Sequence, residues 1–321
     1  MKTSLPPLDH APLDQPVPKP RYDVDYDDVM VDVILGYACN VQCDYCSVLP
    51  SMRPHNLTTA DAIRELSDAR ARGMHKVSFG GGEPTIRKDL LPLVRWCRDR
   101  GFDSVKVSSN GLMYGYPKYA ADAVAAGVTQ FNVSIMAHTP ALYASILGLE
   151  QGLERVTAGV RNLVALGASP VADLIVKNDT YRHLPAIIEH WAGLGCRTFP
   201  LWLVSLSDRN RDNLESLPQV SRMRDSFFAA FEKGRELGVD VYSRHIPRCM
   251  LKGYEAFVRD LREDRVLVVT PGSRFFLWES AISTNAYTAK CEGCRYLHGA
   301  CMGLRRDYLD RWGDAELSPY L

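Results

Sequence analysis

The chain has no excess of either charge: lysines plus arginines number 38, and aspartates plus glutamates number 38. A surface without a basic bias gives no electrostatic footprint for a phosphate backbone, so nucleic acid is not an expected partner. There is no run of about 18 apolar residues, the length that a membrane-spanning helix needs, so no membrane association is expected either. The N-terminus lacks the apolar core of a signal peptide, which points to the cytoplasm. In a reducing compartment disulfides are rare. The nine cysteines, six of them in two tight groups, therefore read as metal ligands. A length of 321 residues suits one large domain, or a domain with a smaller module.

Residues 1–28 are rich in proline and then acidic (Asp23, Asp25, Asp27, Asp28), with neither a helical nor a strand period. They read as an extended surface arm; the alternative is that these acids meet a cationic substrate. From residue 29 onward, short β-branched runs alternate with amphipathic stretches. Strands are expected at Val29–Leu35, Lys76–Phe79, Ser104–Ser108, Gln130–Ile135, Val171–Val176 and Thr198–Val204. Helices are expected near 60–72, 88–100, 117–126, 151–166 and 181–194, with Thr59 as a cap and Gly73, Gly101, Gly127 and Gly167 as stops. Such alternation predicts an α/β fold of parallel βαβ units. The expected boundaries are an arm at 1–28, a domain at 29–215 and a C-terminal module at 216–321.

Just after the first strand comes Tyr37-Ala38-Cys39-Asn40-Val41-Gln42-Cys43-Asp44-Tyr45-Cys46, a C-x3-C-x2-C spacing. Three thiolates on one short loop can hold three irons of a [4Fe–4S] cluster and leave the fourth open for chemistry. A structural zinc site is the alternative, but it ordinarily takes four Cys and His ligands, and no histidine follows at ligand distance. Cys39, Cys43 and Cys46, with Tyr45 before the last of them, resemble the signature of the radical S-adenosylmethionine (SAM) superfamily. The resemblance implies that SAM chelates the open iron and is cleaved by one electron to methionine and a hydrogen-abstracting 5′-deoxyadenosyl radical. It also implies a partial (β/α)6 barrel and an electron donor such as flavodoxin or ferredoxin.

In parallel barrels the active site lies at the C-terminal ends of the strands, and the motifs expected there are present. Gly80-Gly81-Gly82-Glu83-Pro84 follows the second strand; glycines admit close backbone approach, and the turn matches the family element that holds the SAM amino group through Gly81, Gly82 and Glu83. Ser109 and Asn110 after the third strand and Ser134 on the fourth match weaker family positions for the ribose and carboxylate of SAM. A local hydrogen bond is an equal reading for Ser134. Lys177 after the fifth strand is read as a partner for the SAM carboxylate, or as an ordinary solvated lysine. Leu203 on the sixth offers backbone and apolar contact to adenine. His138 reads as a loop histidine with a local bond before it reads as an acid or base. Cys97 and Cys196 read as buried apolar residues.

Beyond a long helical stretch (Gln219–Leu237) and a strand (Val239–Tyr242), Arg265–Thr270 and Arg274–Glu279 flank Pro271-Gly272-Ser273 as a hairpin. Cys291, Cys294 and Cys301 follow, resembling the auxiliary [4Fe–4S] modules (SPASM and twitch types) of the same superfamily, with zinc as the alternative. The expected architecture is thus a partial barrel with a small α+β iron–sulfur module. Cys249, in Arg244-His245-Ile246-Pro247-Arg248-Cys249-Met250, is either the missing fourth ligand or a catalytic thiol that returns hydrogen to a substrate radical. The layout resembles the aminoglycoside-modifying branch, and within it the epimerase type that turns neomycin C into neomycin B. That implies inversion of a C–H centre in antibiotic biosynthesis, with a polycationic aminoglycoside as substrate and carboxylates lining its cavity. The alternatives are a dehydrogenase whose auxiliary cluster accepts an electron, and, less favoured because the lead-in is short, a peptide-modifying maturase. From another class, a non-catalytic zinc or cluster-binding protein is the remaining alternative.

Overall fold

Each β-branched run pairs in parallel with the next. The computed structural model describes residues 25–261, 264–277, 285–297 and 301–321, and the proline-rich stretch 1–24 lies outside the described residues. The first part of the chain runs β1 (Met30–Ile34), α1 (Thr59–Ala71), β2 (Lys76–Gly80), α2 (Leu90–Asp99), β3 (Ser104–Ser109), α3 (Pro117–Ala126) and β4 (Gln130–Ser134). It continues through α4 (Pro140–Leu147), α5 (Gly152–Ala165), β5 (Val171–Val176), α6 (Leu184–Gly193) and β6 (Thr198–Leu203). Glycines at 73, 101, 127 and 167 all take positive φ where the helices stop, which only glycine does without strain. The cap of α1 is Thr58, not Thr59: its hydroxyl accepts from the Asp61 amide, and Asp61 answers in a capping box.

The remainder differs from a separate module. After α7 (Val220–Leu237), β7 (Asp240–Arg244) pairs in parallel with β6, register Thr198↔Asp240. On the opposite edge, β8 (Val266–Val269) pairs in parallel with β1, register Met30↔Val266, and the hairpin partner β9 (Arg274–Phe276) runs antiparallel to β8. Among the described residues the sheet therefore has nine strands in the order β7-β6-β5-β4-β3-β2-β1-β8-β9. Residues beyond 215 extend it at both edges. Among the described residues, β10 (Asn285–Ala286), β11 (Leu304–Arg305) and α8 (Arg306–Trp312) stand apart from the sheet.

Alternation along the strands separates two faces. Val31, Val33, Val77, Phe79, Val105, Val107, Val133, Leu174 and Val176 are buried in the hydrophobic core. The other face carries polar side chains in contact with one another: Asp32 bonds Ser78 and feels Lys106. Asn132 Nδ2 donates to Asp173 at 2.8 Å, and Trp202 Nε1 donates to the same carboxylate at 3.2 Å. Burial raises the pKa of both Asp32 and Asp173, with Lys106 opposing. Asp28, from the acidic arm, pairs with Lys76 (3.0 Å) and Arg265 (3.7 Å). Lys76 opens β2, so this acid lies at the N-terminal end of the sheet, away from the strand ends where a site is expected. Among the described residues no helix is long and apolar enough to cross a membrane.

Candidate active site

The thiol loop leaves β1 and is tied to each neighbouring element. The Gly82 amide donates to Gly36 O at 2.8 Å and the Glu83 amide to Ala38 O at 2.8 Å. The Asp44 amide donates to Ile146 O on α4 (3.0 Å), and the Arg209 amide to Ser47 O (3.1 Å). Arg209 Nη1 also reaches Cys43 O at 3.2 Å. Cys39, Cys43 and Cys46 are all half-buried, and they line one cavity of about 360 Å³ together with Tyr45, Gly81, Gly82, Glu83, Ser109, Asn110, Ser134 and Leu203. That volume is within the range of cofactor sites. Of the nine positions expected to meet SAM, eight are on this wall.

Lys177 is the exception and does not line the cavity. Its side chain is 2% exposed, and its ammonium pairs with Asp44 of the thiol loop at 2.8 Å and with Asp179. The sequence position is at a strand end, but the nearest anions are the chain's own carboxylates. Lys177 is therefore a brace between β5 and the thiol loop. Residues given no role from the sequence also take places on the wall, among them Arg53, whose guanidinium bonds Cys39, and His245, which follows β7. No motif or spacing signals either one.

Glu83 is 2% exposed, and both oxygens are engaged. Oε1 accepts from the Thr85 amide (3.0 Å), the Thr85 hydroxyl and the Ser109 hydroxyl (2.8 Å), and Oε2 accepts from the Asn110 amide (2.7 Å). Burial still raises its pKa, since it outweighs those donors. The carboxylate thus fixes the end of β3 against the glycine turn while facing the cavity. Gly82 serves the packing of the loop: a Cβ there would lie 2.2 Å from Ala38 O. Cys39 and Cys43 are weak acids here. Burial pushes Cys43 up to about 12, and it raises Cys39 against the opposing Arg53. Thiols so placed ionise on binding metal, so metal uptake releases protons.

Cys291, Cys294 and Cys301 line a second, smaller cavity, and Cys249 lines it too. Each thiol is half-buried, and burial pushes Cys301 up to about 11. The sequence left Cys249 with two roles; in space it is beside the other three. A third cavity shares His245 with the first, and Pro247 and Gly303 with the second. Cys97 and Cys196 are fully buried, as expected of apolar packing residues. His138 does not line the cavity; its ring lies 5.6 Å from that of His183, and its Nδ1 is buried without a partner.

Residues 33–190 match the family model of the radical SAM superfamily. These residues form a radical SAM domain. It is similar to the probable GTP 3′,8-cyclase of Methanopyrus kandleri, 30% identical over 167 residues, covering 51% of this chain and 53% of that protein. It is also similar to the probable GTP 3′,8-cyclase of Saccharolobus solfataricus, 26% identical over 195 residues, covering 58% and 62%. The chain thus spans a little over half the length of these curated relatives. Among solved structures, Streptococcus suis SuiB bound to S-adenosylmethionine aligns with TM-score 0.64 at 12% identity, covering 91% of this chain and 76% of that one. Native anSMEcpe with bound AdoMet and a peptide aligns with TM-score 0.51 at 12% identity, covering 64% and 59%. At such identities the likeness is one of fold. The radical SAM domain implies a [4Fe–4S] cluster and SAM, and the three thiols with the glycine turn on one cavity wall fit both.

Proposed function

We propose that this enzyme inverts a C–H centre on an aminoglycoside ring, with Cys249 as the hydrogen donor and a second [4Fe–4S] cluster on Cys291, Cys294 and Cys301. The observation that carries the reading is the position of Cys249. It follows, four residues on, the histidine that lines the SAM cavity, and of the four thiols around the second cavity it alone stands outside the Cys291–Cys301 segment. The polar inner face of the sheet, with Asp32, Asn132 and Asp173, suits a substrate bearing ammonium and hydroxyl groups. When bound, the cluster and SAM supply a 5′-deoxyadenosyl radical that takes a hydrogen atom from the ring carbon. Cys249 then gives its S–H hydrogen to that carbon from the opposite face: the S–H bond breaks and a C–H bond forms. One electron and one proton return the resulting thiyl to a thiol, the electron coming from a one-electron donor of the flavodoxin or ferredoxin class.

A second reading is favoured by a specific observation, the shared cavity of Cys249, Cys291, Cys294 and Cys301. There Cys249 is the fourth ligand, and the enzyme is a dehydrogenase whose auxiliary cluster takes an electron from the substrate radical. Anaerobic turnover of neomycin C in deuterated water separates the two. Inversion with Cys249 as donor gives an isomer carrying one deuterium at the inverted carbon, because the thiol exchanges with solvent. Product without deuterium there removes the donor role, and product lighter by two hydrogens establishes dehydrogenation. Iron content of Cys249→Ala adds an independent measure: it holds under the first reading and falls under the second.

A further inference from the structure

At the C-terminal end of β7 the chain leaves the sheet through His245, whose backbone lies at φ 68°. A non-glycine residue is strained in this left-handed region, and such strain persists only where the surroundings over-determine it. Here they do. The imidazole Nδ1 is 3.3 Å from Leu203 O and 3.2 Å from Arg305 Nη1, and the ring meets Trp202 edge-on at 5.3 Å between centroids. Arg305 is itself 3% exposed and held by Leu203 O (2.8 Å), Val204 O (2.6 Å) and Asp307. Arg305 Nη1 can only donate and Leu203 O can only accept, so between them they engage Nδ1 in either tautomer of the ring. A second proton is disfavoured by burial and by the Arg305 and Arg244 cations, with the Leu203 carbonyl and Asp307 opposing, so the ring stays neutral.

With Nδ1 engaged, Nε2 is the ring nitrogen left for the cavities. Among the described residues His245 alone lines both the SAM cavity and the cavity that continues toward Cys249. We propose that His245 is a substrate-binding residue whose Nε2 edge meets a hydroxyl group of the substrate, which can either donate or accept, where the two cavities share this residue. The inference rests on the proposed function for the identity of the substrate, though not for the position.

The test uses anaerobic holoenzyme with SAM, and equilibrium dialysis against neomycin C, GTP and a neutral trisaccharide. The variants are His245→Asn and His245→Gln. Asparagine tolerates the left-handed backbone better than most residues, so it keeps the fold, but its amide stops short of the cavity. Glutamine reaches further, and its amide can donate or accept where the imidazole edge lies. The expected result is about tenfold weaker neomycin C binding in His245→Asn, one hydrogen bond's worth. Its thermal midpoint and iron content should hold, and it should release more 5′-deoxyadenosine per product. His245→Gln should recover most of the affinity. Equal affinity in wild type and both variants overturns the proposal, as does a loss in His245→Asn that tracks a fall in thermal midpoint. A wild type that binds GTP in place of neomycin C overturns the aminosugar substrate, and the same two variants are then compared on GTP. A wild type that binds none of the three overturns both.

Discussion

A methyl group added at Gly82 would lie 2.2 Å from Ala38 O and 2.6 Å from the Tyr37 carbonyl carbon. Neither atom can retreat, because the Glu83 amide already holds Ala38 O at 2.8 Å. Gly82→Ala should therefore lift the thiol loop and empty its iron, read as iron per chain after reconstitution and as loss of SAM binding. Asp32 has the opposite character. Burial raises its pKa, so its charge near neutral pH opposes folding, and that penalty fades as pH falls and the carboxyl protonates. Asp32→Asn should stabilise the fold by roughly 1 kcal/mol at pH 7, and by less near pH 4, in denaturant titrations. If Asp32 faces a cationic substrate, the same change weakens neomycin C binding. At this scale the ligands were legible because three thiols on one loop have few other uses. Lys177 was not: a strand-end lysine gives no sign that its anion is Asp44, 133 residues earlier. Arg53 and His245 belong to no motif, and only their place on the cavity wall marks them.

Between elements, the alternation of β-branched and amphipathic runs gave all of β1 to β6 within a residue or two, since each strand is bounded by glycine or polar turns. The helix α4 escaped because Met136-Ala137-His138-Thr139-Pro140 reads as a loop, yet Thr139 accepts from the Leu142 amide as its cap and Pro140 opens it. That helix matters to the site, for its Ile146 carbonyl holds Asp44. Lys177 completes the same tie from β5. Lys177→Met would leave Asp44 and Asp179 facing each other without the cation between them. Breaking a buried pair costs about 3–5 kcal/mol, but these carboxylates are 38% and 61% exposed, and solvent screening reduces the loss to about 1–2 kcal/mol. The expected outcome is a lower thermal midpoint with iron loss from the Cys39–Cys46 site, while Lys177→Arg retains most of both. If the iron stays in Lys177→Met, the brace does not hold the loop.

Across the whole molecule, the late part of the chain completes the sheet at both edges before it forms anything of its own. The sequence pattern indicated a hairpin at 265–279 without indicating that its first strand lies beside β1, because pairing partners far apart in sequence leave no local periodicity. What then holds β11 and α8 over the end of β6 is Arg305. Its guanidinium donates to Leu203 O at 2.8 Å and Val204 O at 2.6 Å and pairs with Asp307, whose oxygens in turn accept the Leu206 and Tyr308 amides at 2.8 Å each. Arg305→Met would strand Asp307 in a site where its side chain is 11% exposed, at a cost of about 3–5 kcal/mol. Burial alone would raise the Asp307 pKa; Arg305 and the amides overcome it and hold it below the usual carboxylate range. A depressed carboxylate stabilises the fold above its unfolded pKa, and that contribution is lost as pH falls through the folded value. Wild type should accordingly lose stability on the acid side through this pair, whereas Arg305→Met should be less stable at pH 7 with a flatter acid limb, seen in thermal midpoints from pH 7 down to pH 3. Because β11 follows directly on Cys301, the variant should also release metal bound by Cys291, Cys294 and Cys301 before that of Cys39, Cys43 and Cys46. Simultaneous loss from both sites would show that the C-terminal segment is anchored elsewhere.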